Sequence, residues 1–221
     1  MAQPSAGLFY ACIMTPLSSF YSRLIPRVPG CPEPTANQAL VDAAIAFADD
    51  TLVLREQLDT FSTVAGVQKY ELDPPSQQFV SRVLSVVADG RVLTVASIHD
   101  VAPLDSPSGA PMTAFMTRNG SVYELNLHPT PDKVYPVNVV VATRPARGAT
   151  SLEDDLYDRW CETVISGALA RIHAIPNQPF SDPAIAQQQQ ALFMFGANKA
   201  RMEGSFNRVV STQRVRSRPF A

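Results

Sequence analysis

The stretch from Phe79 to Ile98, FVSRVLSVVADGRVLTVASI, decides how the chain is to be read. Two β-branched runs, Phe79 to Ala88 and Arg91 to Ile98, flank Asp89-Gly90. A type I′ turn needs positive φ at both central residues, and Asp-Gly accommodates it with little strain. The spacing predicts a hairpin in the middle of the chain. Working outward, Asn119-Gly120 repeats the device between Thr113 to Arg118 and Ser121 to Leu127. Val67 to Leu72 reads as a strand stopped by Pro74-Pro75, and Val134 to Thr143 as a further apolar strand. Pro103 to Pro111 is a loop between the hairpins. Residues 60–145 therefore form an antiparallel β module.

Both flanks of that module change period. Ala36, Ala39, Leu40, Ala43, Ala44, Phe47 and Ala48 recur at helical spacing, with Val53 and Leu54 continuing the pattern toward Gln57. Thr35 and Gln38 have the spacing of a capping box just past Pro34, so the helix is expected to start at Thr35. The many alanines predict close helix–helix approach. Beyond Gly148, Ser151 is placed to cap a second helix, with Glu153, Asp154 and Asp155 at its positive end. Leu152, Leu156, Trp160, Val164, Gly167, Ala168, Arg171 and Ile172 carry that helix to Pro176. Asp182-Pro183 opens a third, with Asp as cap and Pro at the first position, running to about Gly204.

The ends differ from the middle. Residues 1–34 carry Pro4, Pro16, Pro26, Pro29, Pro32 and Pro34, a turn-rich lead-in with room for a short helix at Ser18 to Leu24. From Lys199 on, Arg201, Arg208, Arg214, Arg216 and Arg218 are opposed only by Glu203. Residues 207–221 read as a basic, extended C-terminal arm. The expected fold is α+β: a helical bundle (35–57 and 150–206) with an inserted antiparallel β module and extended terminal arms.

Composition narrows the function. Of 221 residues, 46% are hydrophobic and only 17% charged, with a net charge of -2; about a quarter charged is usual. That excludes a disordered charged tail and a globally cationic nucleic-acid binder. Three cysteines, Cys12, Cys31 and Cys161, are too few for a disulfide scaffold. The apolar stretch Ala6 to Ile13 has no basic residue before it and is too short to span a bilayer, so synthesis in the cytoplasm is expected. Low charge on an apolar chain also fits a surface covered by partner subunits.

Catalytic motifs are absent from the sequence. No two glycines stand in G-x-G spacing, and neither G-x-S-x-G, H-x-x-x-H nor C-x-x-C occurs. His99-Asp100 is a strand-end pair whose side chains point to opposite faces. His128-Pro129 marks a strand exit, and His173 suits a helix C-terminus. Cys161 sits beside Trp160 without an adjacent base. Glu153, Asp154 and Asp155 fan apart on a helix rather than converge on a metal. Asn119-Gly120-Ser121 matches a glycosylation sequon but serves the hairpin. No catalytic residue, metal set or cofactor is expected. The arm holds the one functional candidate: its arginines suit fixed, bidentate contacts, and Phe220 suits an anchor.

The order of elements resembles a known family. Val28-Pro29-Gly30-Cys31-Pro32-Glu33-Pro34 feeds an alanine-rich helix. The β insertion follows, with the loop His128-Pro129-Thr130-Pro131-Asp132. Then come Gly167-Ala168-Leu169-Ala170, the break Pro176-Asn177-Gln178-Pro179-Phe180-Ser181-Asp182-Pro183 and a last helix. Over about residues 20 to 205 this is similar to the head-to-tail adaptor proteins of tailed bacteriophages, the group that includes the tail tubular protein of short-tailed phages. The resemblance implies a structural protein of the virion neck and not an enzyme. It implies a ring of typically twelve copies between portal protein and tail or nozzle protein, with genomic DNA passing unread through the lumen. It further implies that the arm, with Arg208, Arg214, Arg216, Arg218 and Phe220, docks on the portal.

Two other classes compete. A ligand- or carbohydrate-binding β module would need a concave aromatic cluster, with Phe115, Tyr123 and Tyr135 as candidates. A basic-armed DNA-packaging accessory would show steeply salt-dependent DNA binding.

Overall fold

The computed structural model describes residues 14–97, 107–120 and 122–205. Residues 1–13 of the lead-in, Cys12, His99-Asp100, Ser121 and the arm with Arg208, Arg214, Arg216, Arg218 and Phe220 lie outside them.

Strand β1 (Met14–Pro16) leads to helix α1 (Ser18–Leu24), a 3-10 turn and helix α2 (Glu33–Thr51). α1 falls where the sequence left room for it. α2 starts before Thr35, because Pro32 and Pro34 suit a helix entrance where N–H groups lack partners anyway. The Thr35–Gln38 capping box does not form: Thr35 lies inside the helix, and no side chain caps it. α2 also stops short of Gln57. Leu52 turns left-handed (φ 52°) and returns its N–H to Ala48, while the Thr51 hydroxyl donates to the Phe47 carbonyl at 2.7 Å.

Residues expected to prolong the helix instead form strand β2 (Arg55–Gln57). Then come β3 (Phe61–Ser62), β4 (Lys69–Leu72), β5 (Gln78–Ala88), β6 (Arg91–Val92), β7 (Thr94–Val95), β8 (Ser108–Gly109), β9 (Thr113–Asn119), β10 (Val122–His128), β11 (Thr130–Pro131) and β12 (Pro136–Pro145). One sheet has the order β2-β12-β5-β6, with β3 also on β12; the other has β4-β10-β9-β7. Asp89 (φ 50°) and Gly90 (φ 74°) make the expected turn. The returning strand breaks sooner than expected. Leu93 is buried, and Thr94–Val95 cross to the second sheet, parallel to β9. β8 and β11 also pair in parallel, so the module is not wholly antiparallel. Asn119 pairs with Val122 and belongs to its strand; Gly120, at φ 62°, opens that turn one residue later than expected.

The two sheets face each other across one core. Val83, Val86 and Val139 come from the first; Leu72, Leu125 and Leu127 come from the second. β12 is the hub, paired with β2, β3 and β5. Its register with β5 shifts twice, and one shift passes over Ser81, whose hydroxyl donates to Asp49 of α2 at 2.6 Å. Such bulges bend a strand and re-aim a side chain.

After β12, Ser151 does not cap a helix. Ser151–Glu153 is strand β13, paired antiparallel with β1 so that Pro16 meets Ser151 and Met14 meets Glu153. A partner far away in sequence overrode a local capping signal. The expected single helix then splits into α3 (Asp154–Asp158) and α4 (Cys161–His173), with Trp160 between them packed 5.5 Å from the Phe47 ring. α5 (Pro183–Ser205) starts as expected: Asp182 Oδ1 accepts from the N–H groups of Ala184 (2.9 Å) and Ile185 (3.1 Å).

The helices enclose a second core. Phe20, Leu24, Leu40, Phe47, Leu156, Val164, Ile165, Leu169 and Ile172 are all buried there. The fold is α+β with antiparallel sheets and five helices among the described residues. It is sheet-rich, so the expected helical bundle overstates the helical share; the hub strand β12 is as much a part of its frame as any helix.

Candidate assembly surfaces

α5 has two apolar faces. Ala186, Phe193, Ala197 and Ala200 are buried toward α4. The approach is close because two glycines permit it. A Cβ on Gly167 of α4 would meet the Phe193 ring at 2.6 Å, and one on Gly196 of α5 would collide with Thr163. The other face carries Ile185, Leu192, Phe195 and Met202, at 38%, 49%, 73% and 62% exposure. At 100° per residue these four fall within an arc of about 100° pointing away from α4. From Pro183 to Asn198 α5 carries no charge. Sequence analysis missed this face. Its signal was the repeat 185, 192, 195, 202 running beside 186, 193, 197, 200; two opposed apolar stripes blur the single-sided pattern that marks a surface helix.

A second surface lies beside α1. Leu17, Tyr21, Pro34, Gln38, Val41 and Ala149 line a groove of about 470 Å³ between α1, α2 and residues 147–150. The Tyr21 hydroxyl sits between Glu33 and Asn37, and burial, then Glu33, push its pKa up. Arg147 at the rim pairs with Asp42 at 3.7 Å. α1 is held to α4 by Arg23 and Arg27, which reach Glu162 at 3.0 and 3.3 Å. Glu162 thus faces α1, whereas Thr163 and Gly167 face α5. α2 lies between, touching α1 through Asn37 and α5 through the Phe47–Phe193 ring pair. The groove and the exposed face of α5 therefore sit on different sides of the helices.

The end of α5 is tied down by charge. Arg201, expected to be opposed only by Glu203, pairs instead with Asp50 of α2. Glu203 takes Arg159 at 2.7 Å, and Arg55 donates to the Gly204 carbonyl at 3.0 Å. These partners are distant in sequence, so charge counting along the tail could not find them.

The remaining candidates do not gather. Among the described residues no three His, Cys, Asp or Glu side chains form a metal-holding group. His173 is buried, its Nδ1 2.7 Å from the Phe180 carbonyl. Burial pushes the Cys161 thiol up, away from thiolate reactivity. Glu153, Asp154 and Asp155 diverge as expected: Asp154 accepts from Thr15, Asp155 pairs with Arg159 at 3.4 Å, and Glu153 turns toward Thr143. Burial, with Glu56 and Asp155 nearby, raises the Glu153 carboxyl to about 7. The three aromatics of the ligand-binding alternative do not share a cavity. Phe115 pairs opposite Asn126, so it points to the other face of the sheet from Tyr123. Tyr135 donates its hydroxyl to Asp132 at 2.6 Å, beside a small hollow of about 120 Å³ with no second aromatic lining it. No described helix is long and apolar enough to cross a membrane.

A folded chain whose described residues leave an apolar helix flank exposed, with a groove on another side, has the surfaces of an assembly subunit. The model of the SU10 adaptor protein family matches residues 19–218, and the chain belongs to that family. It is a phage adaptor protein, a structural component of the virion that interacts with other virion proteins. No curated protein matches the chain.

Proposed function

We propose that this chain is the adaptor of the virion neck, not an enzyme, and works without a cofactor. Copies form a ring, typically of twelve, that joins the portal protein to the tail or nozzle protein and passes genomic DNA through its lumen. The likeness to the tail tubular protein of short-tailed phages is part of this proposal. The observation that carries it is the adaptor-family match across residues 19–218, which takes in Arg208, Arg214, Arg216 and Arg218. We assign those arginines and Phe220 to portal docking. An arm of about 15 residues can extend roughly 50 Å at about 3.3 Å per residue, enough to reach a neighbouring ring.

The test is an electron-microscopy reconstruction of the particle vertex with this chain located in it. Density for the chain between portal and tail supports the proposal; density elsewhere refutes it. Deleting residues 208–221 should abolish retention on portal-bearing heads. Normal tail attachment after that deletion removes the docking role. Steeply salt-dependent binding of the free chain to DNA would point instead to a packaging accessory.

A further inference from the structure

We infer that the outward face of α5 and the α1–α2 groove are two halves of one contact, made between neighbouring copies of this chain. The inference rests on the ring proposed above and adds which surfaces close it. Rings of identical copies use two different patches per subunit, joined head to tail. α1 and α5 touch α4 on different sides, so the two patches are distinct, as a head-to-tail contact requires. Their shapes differ in the required sense. One is convex, with Phe195 73% exposed on it; the other is a concavity of about 470 Å³.

Charge is complementary in the same way. α5 has no charged residue between Pro183 and Asn198. Among the described residues Arg147 is the one charged side chain lining the groove, and Asp42 answers it at 3.7 Å. Lys199 lies on the α5 stripe, one turn from Phe195, and Glu33, which accepts from the groove's Tyr21 at 2.9 Å, supplies a carboxylate to answer it, so the contact leaves no lone charge, the costliest outcome of burial. Size agrees as well. Ile185 to Met202 spans about 25 Å at 1.5 Å per residue. A standard interface covers about 800 Å² per partner, with an apolar centre and a polar rim. The α5 stripe supplies the apolar part of that area, crossed by Gln188 and Lys199, with Gln187 and Asn198 along its edge. A two-fold pairing of α5 with α5 would leave the groove unused and stop at two copies.

Cysteine pairs test the contact in assembled particles. Leu192 and Gln38 are both exposed, so Leu192→Cys and Gln38→Cys leave the core untouched. With a short bis-maleimide, the double variant should give a ladder of dimers, trimers and larger species. Each single variant should match the parent chain, which keeps its own three cysteines as the control. Dimers from Leu192→Cys alone overturn the inference in favour of α5–α5 pairing. If the double variant gives no ladder while glutaraldehyde links wild-type copies in the same particles, the ring stands and this contact is wrong. If glutaraldehyde also yields only monomers, the ring itself fails. As an independent check, Phe195→Glu should lower copies per particle at least tenfold, while Phe195→Leu should keep them near wild type. Equal incorporation of both would overturn the assignment.

Discussion

α2 and α5 are the two long helices, and they are enclosed differently. α2 runs between α4, α5 and strand β12, and ten of its residues are buried. α5 is longer, yet only Ala186, Phe193, Ala197 and Ala200 are buried among its hydrophobic residues. The described residues cover one side and leave exposed another that carries Ile185, Leu192, Phe195 and Met202. Internal stability therefore depends on α2 and on the inner face of α5. The outer face of α5 contributes little to the packing of the described residues.

The sharpest break between the two helices is a pair of phenylalanines. Phe47 on α2 is fully buried and touches the rings of Trp160 and Phe193. Phe47→Ala should cost about 3–5 kcal/mol, read as a lower denaturation midpoint. A loss below about 1 kcal/mol would mean that α2 is not the pillar described here.

Charge trapped beyond the end of α2 gives the next effect, with opposite sign. The Glu153 carboxyl is raised to about 7, so its contribution is full below the ordinary carboxylate range and is lost as pH rises through about 7. Glu153→Gln should therefore stabilise the chain at pH 8 by about 3 kcal/mol and change little near pH 4. Denaturation curves at the two pH values decide it, and a pH-independent difference would count against a buried carboxylate.

The inner face of α5 comes third. Gly196→Ala forces a methyl group into Thr163, and Gly167→Ala forces one into Phe193. Each should cost about 1–3 kcal/mol by overpacking. The Asp182 cap is smaller: Asp182→Ala should cost about 1 kcal/mol. Smallest is the outer face. Phe195→Ser in the isolated chain should shift stability by less than about 0.5 kcal/mol, because Phe195 is 73% exposed among the described residues. A large thermal shift for Phe195→Ser would erase the distinction between the two faces.

What could be read from sequence followed the range of the interaction. Asp89-Gly90 and Asp182-Pro183 act within a few residues, and both turn up where the sequence puts them. Ser151 looked just as local, but β1 claims it across more than a hundred residues. Leu52 ended α2 early through a left-handed turn that its side chain does not advertise. The pairing of Arg201 with Asp50 likewise exists only once α2 and α5 are side by side. The open face of α5 was legible in principle, since its four residues repeat on one side of a helix. It went unread because the buried stripe beside it carries the same signal.

Strand β12 has a mechanical consequence. It is bonded to β5 along nearly its whole length, holds β2 and β3 on its other edge, and meets α2 through Arg144 and Asp49 at 3.3 Å. A pull along the strand loads these lateral bonds in shear, many at once, rather than peeling them one by one. A load on the sheet core therefore reaches the helical core through this strand and its contact with α2.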